Sequence, residues 1–435
     1  MVVMATERVA QDMANLSATA DGETKLLACG AAPALVALAS NDVVKGSAGA
    51  AQYVAHAMAN LCRDRGLGPH KFLACGAAPV LVALAGEGVI KGSADTAEQV
   101  ARAMANLGVS KDGEAMLLAC GAAPALVMLA GAVVVKGSAG AAQNVARAIA
   151  KLGISADGNS KLLACGAASA LVALAGEGVV KGSADAARYV THAMANLSAN
   201  SEDGKAKLLA CGAAPALVAL AGEDVVKGSA VAAECVAMAM ANLGCSDVGQ
   251  VKLLACGAAS ALVALAGEGV IKEESTDAAK WVARAIGNLG KSEDAQAKLL
   301  ACGAAPALVA LAGEGIIKES AGAAQHVARA MAFLSMRSDG QAKLLACGAA
   351  SALVVLAGEG VVKDGTGAAN YVARAMANLG KCADGQAKLL ACGAAPALVA
   401  LAGVDAVRSS PGASDSVARA MATLGISADG QAKQQ

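Results

Sequence analysis

Tyr189, His192 and Asn196 lie three and four residues apart, a spacing that puts all three on one face of a helix. A ring can stack, an imidazole can carry charge, and an amide can both donate to and accept from a peptide backbone. The same register recurs along the chain. It reads Tyr53, His56, Asn60; Gln99, Arg102, Asn106; Asn144, Arg147, Lys151; Cys235, Met238, Asn242; Trp281, Arg284, Asn288; His326, Arg329, Phe333; Tyr371, Arg374, Asn378; and Ser416, Arg419, Thr423. Every tyrosine and the only tryptophan occupy the first of the three positions, in a chain with 1% aromatic residues. A face so enriched suits binding: rings give contact area at low entropic cost, and Arg gives a directional charge. A second reading has these side chains filling the ridges between neighbouring helices, with Arg stems lying over them and Asn bonding a neighbour's backbone.

Other chemistry is scarce. No Ser/His/Asp or Cys/His arrangement, paired carboxylates in a unique context, or phosphate loop stands out, so no catalytic residue and no cofactor are expected. Gly86–Ser93 is glycine-rich but fits neither GxxxxGK[ST] nor GxGxxG. Nine of the 13 cysteines fall at one recurring position: Cys29, Cys75, Cys120, Cys165, Cys211, Cys256, Cys302, Cys347 and Cys392. Their wide separation along the chain rules out a CxxC knuckle, and no metal site is expected. At that position Cys is read as a small buried hydrophobe. Cys62, Cys235, Cys245 and Cys382 follow no metal spacing either.

The helices that position these residues come from one unit copied nine times. The gaps between the recurring cysteines are all 45 or 46 residues. A fixed period in this range means a solenoid, in which each unit buries its apolar face against its neighbours. Residues 1–20 match the last helix of the unit alone. The copies run 21–66, 67–111, 112–156, 157–202, 203–247, 248–293, 294–338, 339–383 and 384–428, and 429–435 starts another. The solenoid is therefore expected over 21–428, as one extended domain.

Each unit reads as three helices. The first is short, as in Asp203–Cys211, with Asp203 as the expected N-cap and Gly212 as the stop, since glycine enters the left-handed conformation cheaply. The second is Ala214–Ala221, with Pro215 in its first turn. Six units have Pro there and three have Ser. A loop of the form Gly-Glu-Gly-Val-Val-Lys-Gly-Ser follows, its Val/Ile pair expected to tuck under the helices. The third and longest helix, as in Asp185–Leu197, carries an apolar stripe of Ala186, Val190, Ala193, Met194 and Leu197.

Net charge is zero, from 35 basic and 35 acidic residues. Strong attraction of the whole molecule to nucleic acid or an anionic membrane is not expected. Met1–Asp12 has no apolar secretory core. Many thiols without a disulfide pattern point to an intracellular location, cytoplasmic or nuclear. Met116–Val135 is uncharged and long enough to span a bilayer, but it holds the turn residues Gly121 and Pro124 and stays in frame with units that carry Glu there.

Ala-Cys-Gly-Ala-Ala-Pro-Ala-Leu-Val-Ala-Leu at Ala210–Leu220 is similar to the armadillo-repeat motif Glu-Ala-Gly-Ala-Ile-Pro-x-Leu-Val-x-Leu, and Ala193–Leu197 resembles its Ala-Leu-x-Asn-Leu. The chain thus resembles armadillo-repeat proteins over nearly its whole length. The resemblance implies an all-α, right-handed superhelix with the third helices lining a concave groove. It further implies that Asn60, Asn106, Asn196, Asn242, Asn288 and Asn378 hold the backbone of an extended peptide. Importin-alpha-like members have Trp four residues before the Asn. Here that place holds His56, Arg102, Arg147, His192, Met238, Arg284, Arg329, Arg374 and Arg419. Arginines would repel a basic signal and favour carboxylates or phosphates, more like beta-catenin. The expected groove comprises these residues other than Met238, with Tyr53, Tyr189, Trp281 and Tyr371 and the asparagines. Its expected ligands are extended acidic or phosphorylated segments of other proteins. The alternative is a structural solenoid that self-associates end to end through uncapped ends.

Overall fold

The computed structural model describes residues 2–63, 66–90, 92–267, 269–271, 275–317, 320–358 and 366–426, apart from the side chains of residues 2, 87 and 314. Their secondary structure is all-α, with many packed helices in the manner of a helical repeat. Met1–Ala216 and Leu217–Gln435 form two compact units. The expected further start at 429–435 lies outside the described residues.

In the first unit the long helices Val2–Leu16, Ala48–Leu61, Ala94–Leu107, Ala139–Leu152 and Ala184–Ser198 pack side by side in chain order. In the second, Ala230–Leu243, Thr276–Leu289, Ala321–Leu334, Thr366–Leu379 and Pro411–Thr423 do the same. The expected stripe makes this packing: Ala186, Val190, Ala193, Met194 and Leu197 are all fully buried. Complete burial stabilises a Met or Leu side chain by roughly 1.5–3 kcal/mol, and the alanines let neighbouring backbones approach.

Short helices lie between the long ones. Ala156–Ala164 and Ala167–Gly176 meet at 74°, and Leu67–Ala74 and Ala77–Leu84 at 84°. One glycine makes each corner. Gly166, for example, has φ +89 and ends one helix while starting the next. No single helix among the described residues is long and apolar enough to cross a membrane, and the Met116–Val135 window is broken at Gly121 into helices bent by 77°.

Three expectations need correction. The first helix of the fifth copy is Glu202–Ala210, and its cap is Ser201, which accepts from the amide of Gly204; Asp203 lies inside the helix. Thr19, Ser110, Ser155 and Ser246 cap in the same way. The expected loop contains a one-turn helix in several copies, as in Asp42–Lys45, Val133–Lys136, Gly178–Lys181 and Asp224–Lys227. Its pin is the second residue of the Val pair (Val44, Val135, Val180, Val226), which is fully buried. A single turn is too short to show a helical period. Finally, the recurring cysteines are not core residues: Cys29, Cys165, Cys211, Cys302 and Cys392 are exposed, and Cys75, Cys120, Cys256 and Cys347 half-buried. Each stands at the corner between two short helices, next to the left-handed glycine.

Candidate functional site

The expected ridge residues stand on the long helices, six of which have their N-termini fixed by serine caps. Ser47, Ser93, Ser138, Ser183, Ser229 and Ser320 each accept from the amide three residues on. Each cap satisfies an amide that has no partner within its own helix.

In the first unit the structure places Tyr53, His56, Asn60, Arg102, Asn106, Arg147, Tyr189, His192 and Asn196 along consecutive long helices. Asn242, Trp281, Arg284, Asn288, Arg329, Tyr371, Arg374, Asn378 and Arg419 lie on those of the second. The rings, histidines and arginines are half-buried, and Arg419 is exposed.

The asparagines make hydrogen bonds within the fold. Asn60, Asn106, Asn242 and Asn288 are buried. Asn106 donates to Ala59 O at 2.7 Å, Asn196 to Ala150 O at 3.0 Å, Asn288 to Ala241 O at 2.8 Å and Asn378 to Ala332 O at 3.1 Å. Each acceptor is third from the end of the preceding long helix, among the last four carbonyls that find no partner within their own helix. Asn60 donates to Ser17 Oγ instead. Asn106, Asn196, Asn288 and Asn378 thus join successive helices.

The outward oxygen of this amide orients the arginine of the next helix. Arg102 donates to Asn60 Oδ1 at 3.1 Å, Arg147 to Asn106 Oδ1 at 2.9 Å and Arg329 to Asn288 Oδ1 at 2.9 Å. Rings support several cations: Arg284 lies 4.7 Å from the Trp281 centroid, Arg329 5.3 Å from Phe333, Arg374 5.6 Å from Tyr371 and Arg188 4.9 Å from Tyr189. Among the described residues, Arg102, Arg147, Arg284, Arg329, Arg374 and Arg419 form no ion pair, although 12 ion pairs occur elsewhere. The hydrogen-bond partners of Arg102, Arg147 and Arg329 are neutral amides.

This unbalanced charge is felt by the histidines. Burial, then Arg102 and Arg63, holds the His56 pKa below its usual value. Burial, then Lys151 and Arg188, does the same for His192. For His326, burial followed by Arg284, Arg329 and Lys280 lowers it to about 4. Lys280, Arg188 and Arg63 contribute to the ridge but were not among the expected site residues. The spacing contained the signal for Lys280, which stands four residues before Arg284 and shares its face.

Among the described residues no group of three or more His, Cys, Asp or Glu could hold a metal ion.

Fold and ridge together define a helical-repeat protein with a basic, ring-lined face. No family model matches the chain, and no curated protein does so. Among solved structures it is similar to a crystal structure of an engineered protein, with 19% identity and a TM-score of 0.74, covering 96% of this chain and 94% of that one. A second engineered protein is 20% identical over 59% of this chain and 98% of its own, at a TM-score of 0.49. The first likeness shows a shared fold and carries no function.

Proposed function

We propose that the chain is a non-enzymatic scaffold that binds extended, acidic or phosphorylated segments of other proteins along its long helices. In this reading it is an armadillo-type, right-handed superhelix of nine three-helix repeats preceded by a partial one. The observation that carries the reading is the set of ridge arginines with no carboxylate partner among the described residues. Half-buried cations with neutral partners cost desolvation that an incoming anion offsets. The asparagines serve by holding arginines in place, and the rings by giving apolar walls. Binding to an acidic peptide pool should weaken with salt, and Arg284→Glu with Arg329→Glu should reduce it by about tenfold or more. Unchanged affinity in that double variant would remove the ridge from the account.

A further inference from the structure

One stretch of ridge in the second unit differs from the rest. Trp281 has two cations against its ring, Arg284 at 4.7 Å and Lys280 at 5.4 Å. On the next long helix Arg329 rests over Phe333 and is held at Asn288 by one hydrogen bond. Arg284 makes no hydrogen bond or ion pair among the described residues. The position just before the trio carries Glu98, Glu234 and Asp415 in other copies; here it is Lys280, followed by Gln325 in the next copy. Among the described residues, Asp277 alone pairs with any of these cations, at 3.2 Å from Lys280.

We infer that Lys280, Trp281, Arg284, His326, Arg329 and Phe333 form a receptor for a phosphoryl group carried on an extended protein segment. This rests on the peptide-binding reading and narrows it to one site and one ligand class. Charge count favours phosphoryl over a single carboxylate. Arg284 and Arg329 bring two positive charges with no acidic partner among the described residues, and a phosphomonoester brings about −1.5 to −2 at neutral pH; a carboxylate would offset one of the two. Guanidinium forks also match phosphoryl oxygens, while rings that stack on them limit the side-chain entropy lost on binding. Burial comes first among the causes that depress the His326 pKa, and Arg284, Arg329 and Lys280 follow; such a group would relieve the field of these three cations.

Trp281 is the only tryptophan, so its fluorescence reports this patch without a label. The probes are three fluorescein-labelled nine-residue peptide pools with a fixed central phosphoserine, glutamate or serine. Fluorescein anisotropy follows binding anywhere on the chain, and tryptophan emission follows the patch. The phosphoserine pool should bind about tenfold or more tighter than the glutamate pool and change Trp281 emission saturably. Arg284→Gln with Arg329→Gln should lose both effects, whereas Lys161→Gln, at an exposed ion pair on a short helix of the first unit, should keep them. Lys280→Glu, which leaves the Asn288 contact intact, should also weaken the phosphoserine pool. Binding of the acidic pools without a Trp281 response, or without loss in these variants, would overturn the patch and leave the wider reading standing. Failure of every pool, together with a Trp281 response to millimolar inorganic phosphate that the double variant lacks, would keep an anion site and overturn the peptide. Failure of pools and phosphate alike would overturn both.

Discussion

Arg329 donates from Nη1 to Oδ1 of Asn288 at 2.9 Å, while the same amide donates from Nδ2 to Ala241 O at 2.8 Å. One side chain therefore closes a helix end behind it and aims a cation ahead of it. Because the pattern recurs at Asn106 with Ala59 and Arg147, folding and the proposed binding face share the same residue.

Asn288→Ala should destabilise the second unit by about 1–3 kcal/mol, the cost of leaving a buried carbonyl without its donor. Asn106→Ala should do the same in the first unit. Urea denaturation checks both. A loss of peptide binding with no loss of stability would instead assign these amides to the ligand.

Three glycines of one copy should respond to alanine in three different ways. At Gly113 a Cβ would collide with the Leu107 carbonyl oxygen, so Gly113→Ala should cost about 3 kcal/mol or more. Gly121 has φ +89 with open space around it, so only the backbone resists, at about 1–2 kcal/mol. Gly131 ends its helix at an ordinary φ with nothing nearby, and Gly131→Ala should stabilise by up to about 1 kcal/mol. Thermal melts should follow that order.

His326 should titrate near 4 in the folded protein, against 6.5 when unfolded, because burial, Arg284, Arg329 and Lys280 disfavour its cation. Since the folded pKa is the lower, the unfolded chain binds more protons between the two values, and stability falls as pH drops from 6.5 to about 4. His56 and His192 act with the same sign. NMR titration of the imidazole resonances measures this directly, and Arg284→Gln should raise the His326 value.

Native-state thiol labelling should separate the cysteines by place in the fold. Cys29, Cys165, Cys211, Cys302 and Cys392, exposed at helix corners, should react with a maleimide before denaturation. Cys62 should not: it is 3% exposed, and burial followed by Glu23 raises its thiol pKa, leaving little thiolate. Mass spectrometry of labelled peptides gives the order.

Much of the architecture is legible in the chain because its causes are local and repeated. The left-handed corner at Gly166 needs glycine whatever lies beyond it, and the stripe through Val190, Met194 and Leu197 is apolar at helical spacing wherever the helix packs. The Ser201 cap was within reach as well; Asp203 drew attention because carboxylates suit a helix's first turn too.

Local pattern sets the period, the three main helices of each copy, the corners and which residues share the ridge. Tertiary structure alone decided where those residues point. Asn106 meets a carbonyl 47 residues away, and Cys165 is exposed at its corner. Periodicity reports which face a side chain is on. Its partner, and whether its charge is balanced, depend on a neighbouring helix brought alongside only by folding.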